Sequence, residues 1–285
     1  MARLLDSVRG YAGLPPRSRE GMLALLAQYA GEERVREIGE RLDPPRRGGF
    51  EIPRAVLMIV FASRAGSGYA GRLLAKTPYF ANVGENFRIN HLAAMRELHG
   101  LADNWQAAQW MIANRGTPWA FGLKGGFTQF VAAAQLGFFP QALGRTKFII
   151  LRRRDPLAQA VSLLKARKSG RFHSVQPEGR AVTLDDYDAD AIARILKHIE
   201  RNYRWFEQLL ARLGKPAPTY YYEDLCAAPD RFVRAMLAKL DLPPVPDFEP
   251  SVDLTILRDE INAAWAERYR AERGDPACQP APASL

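Results

Sequence analysis

One apolar run constrains the fold of this chain more than any other feature. Arg54 to Phe61 reads Arg-Ala-Val-Leu-Met-Ile-Val-Phe, and the apolar stretch from Ala55 to Ala62 is eight residues long. That length is far short of the ~20 residues needed to span a bilayer, but it is typical of a parallel strand buried on both faces. A glycine- and serine-containing turn follows at 63–68, and a short helix is expected from Tyr69 to Lys76.

The alternation of strand and helix continues along the chain. We expect further strands at 119–124, 146–151 and 219–222, and further helices at 128–138, 155–168, 190–213, 229–240 and 257–272. The polar stretch 170–188 between them is expected to form a surface loop or a lid. This order predicts an α/β fold with a mainly parallel central sheet flanked by helices.

Three regions are predicted on this basis. Residues 1–50 form a helical N-terminal extension, in which Ser18 caps a helix that Gly31 stops, and a second short helix covers 35–42 before a proline- and glycine-rich break. Residues 51–273 form the main domain, and 274–285 a flexible C-terminal tail. The extension is expected to pack on the main domain or on a partner chain, which makes a homodimer compatible with the sequence.

Composition limits the class of protein. The net charge of +9 comes from 32 arginines and 8 lysines against 31 acidic residues. The planar guanidinium suits phosphate and sulfate oxygens, but these charges are scattered and form no basic-aromatic repeat, so we expect no nucleic acid partner. The two cysteines and four histidines show no metal-ligand spacing. With no signal-peptide pattern and no transmembrane run, a cytoplasmic protein is expected.

The turn after the first strand has the composition of an anion-binding loop. It contains the residues Ser63, Arg64, Ala65, Gly66, Ser67 and Gly68. Its glycines let successive backbone N–H groups face one anion at the start of a helix. The Gly-Lys-Ser/Thr of a Walker A loop is missing. On this segment alone, an ordinary glycine-rich turn is an equally good interpretation.

A second segment carries a more specific pattern. The strand ending at Leu151 continues into three adjacent arginines, Asp155, Pro156 and a helix that contains Ser162. Arg154 and Ser162, eight residues apart, are placed to hold one phosphate between a guanidinium and a hydroxyl. The alternative is a cluster of arginines neutralised by carboxylates.

Leu151 to Ser162 resembles the Leu-Arg-Arg-Arg-Asp-x-x-x-Gln-Ala-Val-Ser run of the bacterial sulfotransferases related to trehalose sulfotransferase and lipopolysaccharide sulfotransferase. The resemblance implies a nucleotide-kinase-like (P-loop-type) fold and 3′-phosphoadenosine 5′-phosphosulfate (PAPS) as co-substrate. It implies that Arg154 and Ser162 grip the 3′-phosphate. The turn at 63–68 is similar to the family's Pro-Arg-Ser-Gly-Ser-Thr loop around the 5′-phosphosulfate, with Ser63, Ala65 and Gly68 in place of Pro, Ser and Thr.

Three shorter matches occur in the family's order, and together the matches cover roughly 54–270. Glu85-Asn86-Phe87 resembles the Glu-x-Phe segment whose Glu is the family's catalytic base. Phe121 to Lys124 is similar to its Phe-Gly-Val-Lys strand. Tyr222 to Leu225, followed by Pro229, is similar to its Tyr-Glu-Asp-Leu-x-x-x-Pro segment.

The sequence therefore predicts a PAPS-dependent sulfotransferase that acts on a hydroxyl of a small molecule, sugar or glycolipid, without a metal. Glu85 is the expected base, Arg64 and the loop amides face the donor, and Lys124 is a supporting cation. A helix-capping role for Glu85 and a strand-end salt bridge for Lys124 are the alternatives. A small-molecule kinase of the same fold and a non-catalytic protein that binds anions or nucleic acid are the alternative functions.

Other candidate side chains match no motif. His91, His99, His173 and His198 are expected to be surface or hydrogen-bonded histidines, with His173 of interest because it lies in the expected lid. Trp205 is expected to pack in the core. Acceptor specificity is expected to reside in 87–116 and in 170–188.

Overall fold

The computed structural model describes residues 18–43, 48–172, 179–252 and 259–276. The expected C-terminal tail lies outside these residues from 277 onward, as do His173 and most of the expected break at 44–49. The described helices and strands have the following bounds: α1 Arg19–Ala30, α2 Glu32–Glu40, β1 Ala55–Phe61, α3 Ser67–Leu74, β2 Val83–Gly84, α4 Ile89–His99, α5 Asn104–Arg115, β3 Ala120–Gly125, α6 Phe127–Gln135, α7 Phe138–Gln141, β4 Thr146–Arg152, α8 Pro156–Ser169, α9 Ala189–Arg212, β5 Thr219–Tyr221, α10 Tyr222–Ala227, α11 Pro229–Lys239 and α12 Glu260–Arg273.

The sheet has five strands in the order β2-β3-β1-β4-β5, and every neighbouring pair is parallel. Helices cover both faces, which confirms the predicted α/β fold with a parallel central sheet flanked by helices. In the register of the central strands, Phe61 lies opposite Leu151, so the loop after β1 and the arginines after β4 leave the sheet side by side. Ligands of such sheets bind outside the carboxyl ends of the strands.

Strand β1 is buried on both faces, as its unbroken apolar sequence predicts. Its side chains alternate between two cores: Met58 packs in the larger core and Leu57 in the smaller, both fully buried. Helices α1, α6, α8 and α9 contribute to the larger core, and α3 and α11 to the smaller. At roughly 25 cal/mol per Å² of apolar surface removed from water, these two cores provide the main driving force that holds the loops at the strand ends.

The N-terminal helix joins the larger core. Ser18 caps α1 by accepting a hydrogen bond from the Gly21 N–H (3.0 Å), and α1 buries Met22 and Leu26. Tyr29, also on α1, meets the ring of Trp205 edge-on at 6.0 Å. Helix α1 therefore contributes apolar side chains to the same core as the sheet.

The structure corrects the predicted elements in several places. The strand predicted at 219–222 ends at Tyr221, and Tyr222 instead begins the short helix α10. Residues 87–116 hold helices α4 and α5, for which nothing was predicted beyond the helix that Glu85 would cap. Residues 184–186 of the expected loop form one 3₁₀ turn. Within the described residues, no helix has both the length and the hydrophobicity that a membrane span requires.

Candidate active site

The loop after β1 is held in a fixed shape by buried side chains from α8 and α9. Gln159 donates its amide N–H to the carbonyl oxygens of Ala62 (3.2 Å) and Ser63 (2.9 Å). The Tyr203 hydroxyl donates to the Leu151 carbonyl (2.8 Å) and accepts from the Ala62 N–H (3.3 Å), so it ties the end of β4 to the end of β1. Burial raises the pKa of Tyr203, which keeps its hydroxyl protonated for this role.

The loop itself turns through two left-handed residues. Arg64 has φ 68° and Gly66 has φ 87°. A Cβ at Gly66 would lie 2.1 Å from Cδ2 of Tyr222, so the glycine is required both by its backbone angle and by the close approach of that ring. Gly68 has open space where its Cβ would be. Helix α3 begins at Ser67, and its first backbone N–H groups have no partner within the helix.

Arg64 extends from this loop toward α8. Its Nε donates to Ser162 Oγ (3.0 Å), and its Nη1 donates to the Phe172 carbonyl. Burial, and next the nearby Arg153 guanidinium, lower the pKa of Arg64. No carboxylate accepts from Arg64 within the described residues. A half-buried guanidinium beside a second guanidinium and a hydroxyl is a place where an anion is favoured.

The three adjacent arginines after β4 each stack on a tyrosine but differ in their other partners. Arg152 lies over Tyr203 (4.3 Å to the ring centre) and pairs with Glu207 (2.6 Å). Arg153 lies over Tyr222 at 4.6 Å. A carboxylate thus neutralises Arg152, whereas Arg153 lies near Arg64 of the loop.

The structure pairs Arg154 and Ser162 with other residues rather than with each other. Arg154 is exposed, stacks on Tyr221 and donates to both carboxylate oxygens of Asp224 (2.6 and 2.9 Å). This contact raises the pKa of Arg154. Ser162 faces Arg64 instead. The role of Arg154 at the 3′-phosphate therefore stays a prediction, and it requires this guanidinium to leave or to share Asp224.

Glu85 and Lys124 lie at the ends of the neighbouring strands β2 and β3. Glu85 follows β2, its side chain is 20% exposed, and its Oε2 accepts from Gln129 Nε2 (3.2 Å) and lies 3.8 Å from Arg88 Nη1. Lys124 is buried at the end of β3. Burial lowers its pKa, whereas the Glu85 charge raises it. The structure thus brings these two predicted residues close together, beside the strand that carries the loop.

Gln129 is a residue that the sequence analysis missed. It is buried, its Oε1 accepts from the Gly126 N–H (3.0 Å), and its Nε2 faces Glu85. A Cβ at Gly125 would lie 2.6 Å from Gln129 Cβ, so the side chain has little freedom. Because Oε1 is engaged by a donor, the amide must present its N–H to the carboxylate.

The histidines are placed outside this arrangement or against backbone. His91 Nδ1 lies 3.2 Å from the Glu85 carbonyl, and burial lowers its pKa. His99 stacks on Trp110 at 3.9 Å. His198 lies on α9, and Trp205 on the same helix is buried in the core as predicted. Among the residues the structure describes, no group of His, Cys, Asp and Glu could hold a metal ion.

Residues 131–272 match the model of the Stf0 sulphotransferase family. The chain carries a Stf0 sulfotransferase domain. The predicted resemblance to bacterial sulfotransferases is confirmed, and the family supports sulfotransferase activity. The matched segment includes the Arg152 to Ser162 region and Tyr222, whereas the 63–68 loop and Glu85 of this sulfotransferase lie before it.

Two solved structures are similar to the sulfotransferase chain. Sulfotransferase STF9 from Mycobacterium avium is 14% identical, with a TM-score of 0.43, over 95% of this chain and 81% of that one. The sulfotransferase domain of the Synechococcus PCC 7002 olefin synthase is 18% identical, with a TM-score of 0.40, over 85% of this chain and 94% of that domain. No curated protein matches the chain.

Proposed function

We propose that this sulfotransferase uses PAPS to sulfate a hydroxyl of a small molecule, sugar or glycolipid, with Glu85 as the base. The observation that carries the proposal is the meeting of Arg64 with Arg153 and Ser162 at the loop after β1, next to the strand ends that hold Glu85 and Lys124. This arrangement provides cationic donors for an anionic co-substrate and a carboxylate for a proton.

The residues at the loop fit a phosphate-bearing ligand. Arg64 has neutral hydrogen-bond partners, Ser162 Oγ and a carbonyl, so its positive charge is not compensated by a carboxylate among the described residues. Helix α3 begins directly after this turn, at Ser67, and a helix N-terminus favours negative charge. Arg64, the loop amides and Ser162 would hold the nucleotide, with Arg154 as the predicted further contact to its 3′-phosphate.

When bound, PAPS supplies the sulfuryl group, as the acceptor oxygen forms a bond to sulfur while the bond from sulfur to the phosphate oxygen breaks and adenosine 3′,5′-bisphosphate is released. Arg64 and the loop amides stabilise the negative charge that develops on the leaving phosphate. Glu85 takes the proton of the acceptor hydroxyl. Lys124, buried beside Glu85, adds positive charge at the strand ends.

Calorimetry with the purified chain tests the donor. We expect adenosine 3′,5′-bisphosphate to bind and ATP to show no preference, because the Lys of a Walker A loop is missing. Arg64→Gln should weaken bisphosphate binding by roughly 10- to 100-fold, the usual value of a hydrogen bond to a charged group. Absence of bisphosphate binding by the wild-type chain would exclude PAPS as the donor, and tight ATP binding would favour a kinase.

Transfer of label from PAPS tests the base. Glu85→Gln should retain bisphosphate binding but lose turnover by 100-fold or more, since general bases contribute about 10²–10⁴-fold. Glu97→Gln, an exposed glutamate on nearby α4, is the matched control and should behave as wild type. Undiminished turnover of the Glu85 variant would remove this residue from the role.

A further inference from the structure

Carboxylates pair with about half of the exposed arginines of the described chain. Arg204 pairs with Glu200 (2.6 Å), Arg234 with Asp230 (2.7 Å), and further pairs join Arg268 to Glu272, Arg273 to Asp190 and Arg180 to Asp186. Exposed arginines that have no carboxylate partner are candidates for binding an external anion, because the protein does not compensate their charges.

One group of such arginines lies away from the 63–68 loop. Arg34 on α2, Arg167 on α8 and Arg201 on α9 are exposed, and none has a carboxylate partner within the described ranges. We call these three residues the second arginine cluster. Arg201 Nη2 lies 3.4 Å from His198 Nδ1. After burial, the charges of Arg201, Arg167 and Arg34 lower the pKa of His198.

The direction of α9 places this cluster beyond the carboxyl ends of the strands. Tyr203 is bonded to Leu151 at the end of β4, whereas Lys215, after the helix, contacts the Gly144 carbonyl before β4 begins (3.3 Å). Helix α9 therefore runs opposite to β4. His198 precedes Tyr203 by five residues, which is about 7.5 Å at the helical rise of ~1.5 Å per residue.

Helix α6 contacts both a residue of the cluster and Glu85. The Arg34 guanidinium lies over the ring of Phe127, 5.1 Å from its centre. Phe127 is the first residue of α6, and Gln129 in the same turn donates to Glu85. The first turn of α6 thus contacts Arg34 through Phe127 and Glu85 through Gln129.

We infer that the second arginine cluster binds an anionic group of the acceptor, such as a carboxylate, phosphate or sulfate, remote from the hydroxyl that is sulfated. This inference rests on the proposed function and narrows its acceptors to anionic ones. Three guanidinium groups from three helices give a site for one multiply charged group, with Phe127 and Arg34 as its wall toward Glu85.

Binding of matched sugars tests the inference on the full chain, with the donor site filled by adenosine 3′,5′-bisphosphate. Glucose 6-phosphate and glucuronate are compared with glucose by calorimetry. We expect the anionic sugars to bind at least tenfold more tightly, and the triple variant R34Q/R167Q/R201Q to bind all three sugars equally. R212Q, which changes an exposed arginine at the far end of α9, should keep the preference.

The His198 ring provides a second readout. Because nearby guanidinium charges help to lower its pKa, an anion bound among them should raise the pKa of His198, measured by NMR titration in wild type but not in the triple variant. Equal binding of charged and neutral sugars by the wild type, or a preference that survives in the triple variant, would overturn the inference. So would inorganic phosphate alone reproducing the full effect, since this would indicate a free-anion site.

Failure of the inference is distinguishable from failure of the proposed function. If the wild-type chain does not bind adenosine 3′,5′-bisphosphate, the proposed function fails. If the bisphosphate binds and labelled sulfate is transferred equally well to charged and neutral acceptors, measured as kcat/KM, only the anionic-acceptor inference fails.

Discussion

Gly66 gives the sharpest test of how the anion-binding loop is built. Replacement by alanine places a Cβ on a residue with φ 87° and 2.1 Å from the ring of Tyr222. A left-handed alanine costs about 1–2 kcal/mol, and forcing a methyl group against a packed ring costs about 1–3 kcal/mol more. Gly66→Ala should therefore lower the free energy of unfolding by about 2–5 kcal/mol.

Thermal and urea unfolding measure this change. For a chain of this size, each kcal/mol corresponds to roughly 2–4 °C, so the melting temperature should fall by about 4–20 °C. Gly68→Ala is the matched control: its Cβ would meet open space inside the first turn of α3, so that variant should be unchanged or up to ~1 kcal/mol more stable. The two glycines lie two residues apart and should respond in opposite directions.

A double variant separates the two costs at Gly66. In the Tyr222→Ala background the steric cost disappears and the backbone cost remains, so Gly66→Ala should then cost only about 1–2 kcal/mol. A Gly66→Ala chain within about 0.5 kcal/mol of wild type would refute the close contact with Tyr222 and the left-handed turn together.

Three further outcomes follow from the same geometry. Gln129→Leu should leave bisphosphate affinity unchanged but lower kcat by about tenfold, since Glu85 loses the amide that orients it; an equal loss of donor binding would contradict this role. Lys124→Met should be more stable than wild type at pH 7, because burial lowers the pKa of Lys124. This difference in stability should shrink as pH rises toward 10.5, where the wild-type lysine becomes neutral in both the folded and the unfolded state. A constant difference in unfolding free energy from about pH 7 to 10 would contradict this prediction. Gly68→Thr, which has room for its side chain, should tighten bisphosphate binding by up to about tenfold by adding a hydroxyl to the loop, whereas weaker binding in calorimetry would place the phosphate elsewhere.

The apolar strands and long helices were predictable because their patterns are strong and local. Strand β1 carries an unbroken apolar run, and α9 shows a clear amphipathic period over two dozen residues. Strand β2 has only two residues and thus no period to detect. Helix α4 buries only Ile89 and Leu92, so its apolar period is weak. Helix α5 buries residues at regular helical spacing, a stripe that the sequence analysis missed: Asn104, Ala107, Ala108, Met111 and Ile112.

The parts of the candidate site that are contiguous in sequence were also predictable, whereas the pairing between segments was not. The 63–68 loop and the arginine run are readable as motifs, but Arg64 and Ser162 are 98 residues apart and nothing in either segment specifies their contact. Which of three adjacent arginines faces the loop depends on the alternation of side chains at the strand end and on the position of Tyr222. The sequence indicates the chemistry of the run; the packing of α8 and α10 decides which guanidinium is used.

The distribution of arginines accounts for how two anions could share one edge of the sheet. Even ~10 Å apart in water, each pair of unit charges on a bisphosphate and an anionic acceptor repels by about 0.4 kcal/mol, and several such pairs would oppose a ternary complex. Arg64 and Arg153 lie at the loop after β1, whereas Arg34, Arg167 and Arg201 lie beyond the strand ends around His198. Glu207 and Asp224 neutralise Arg152 and Arg154. In the proposed mechanism, each anion would therefore have its own cations, and Glu85 beside Lys124 would take the proton.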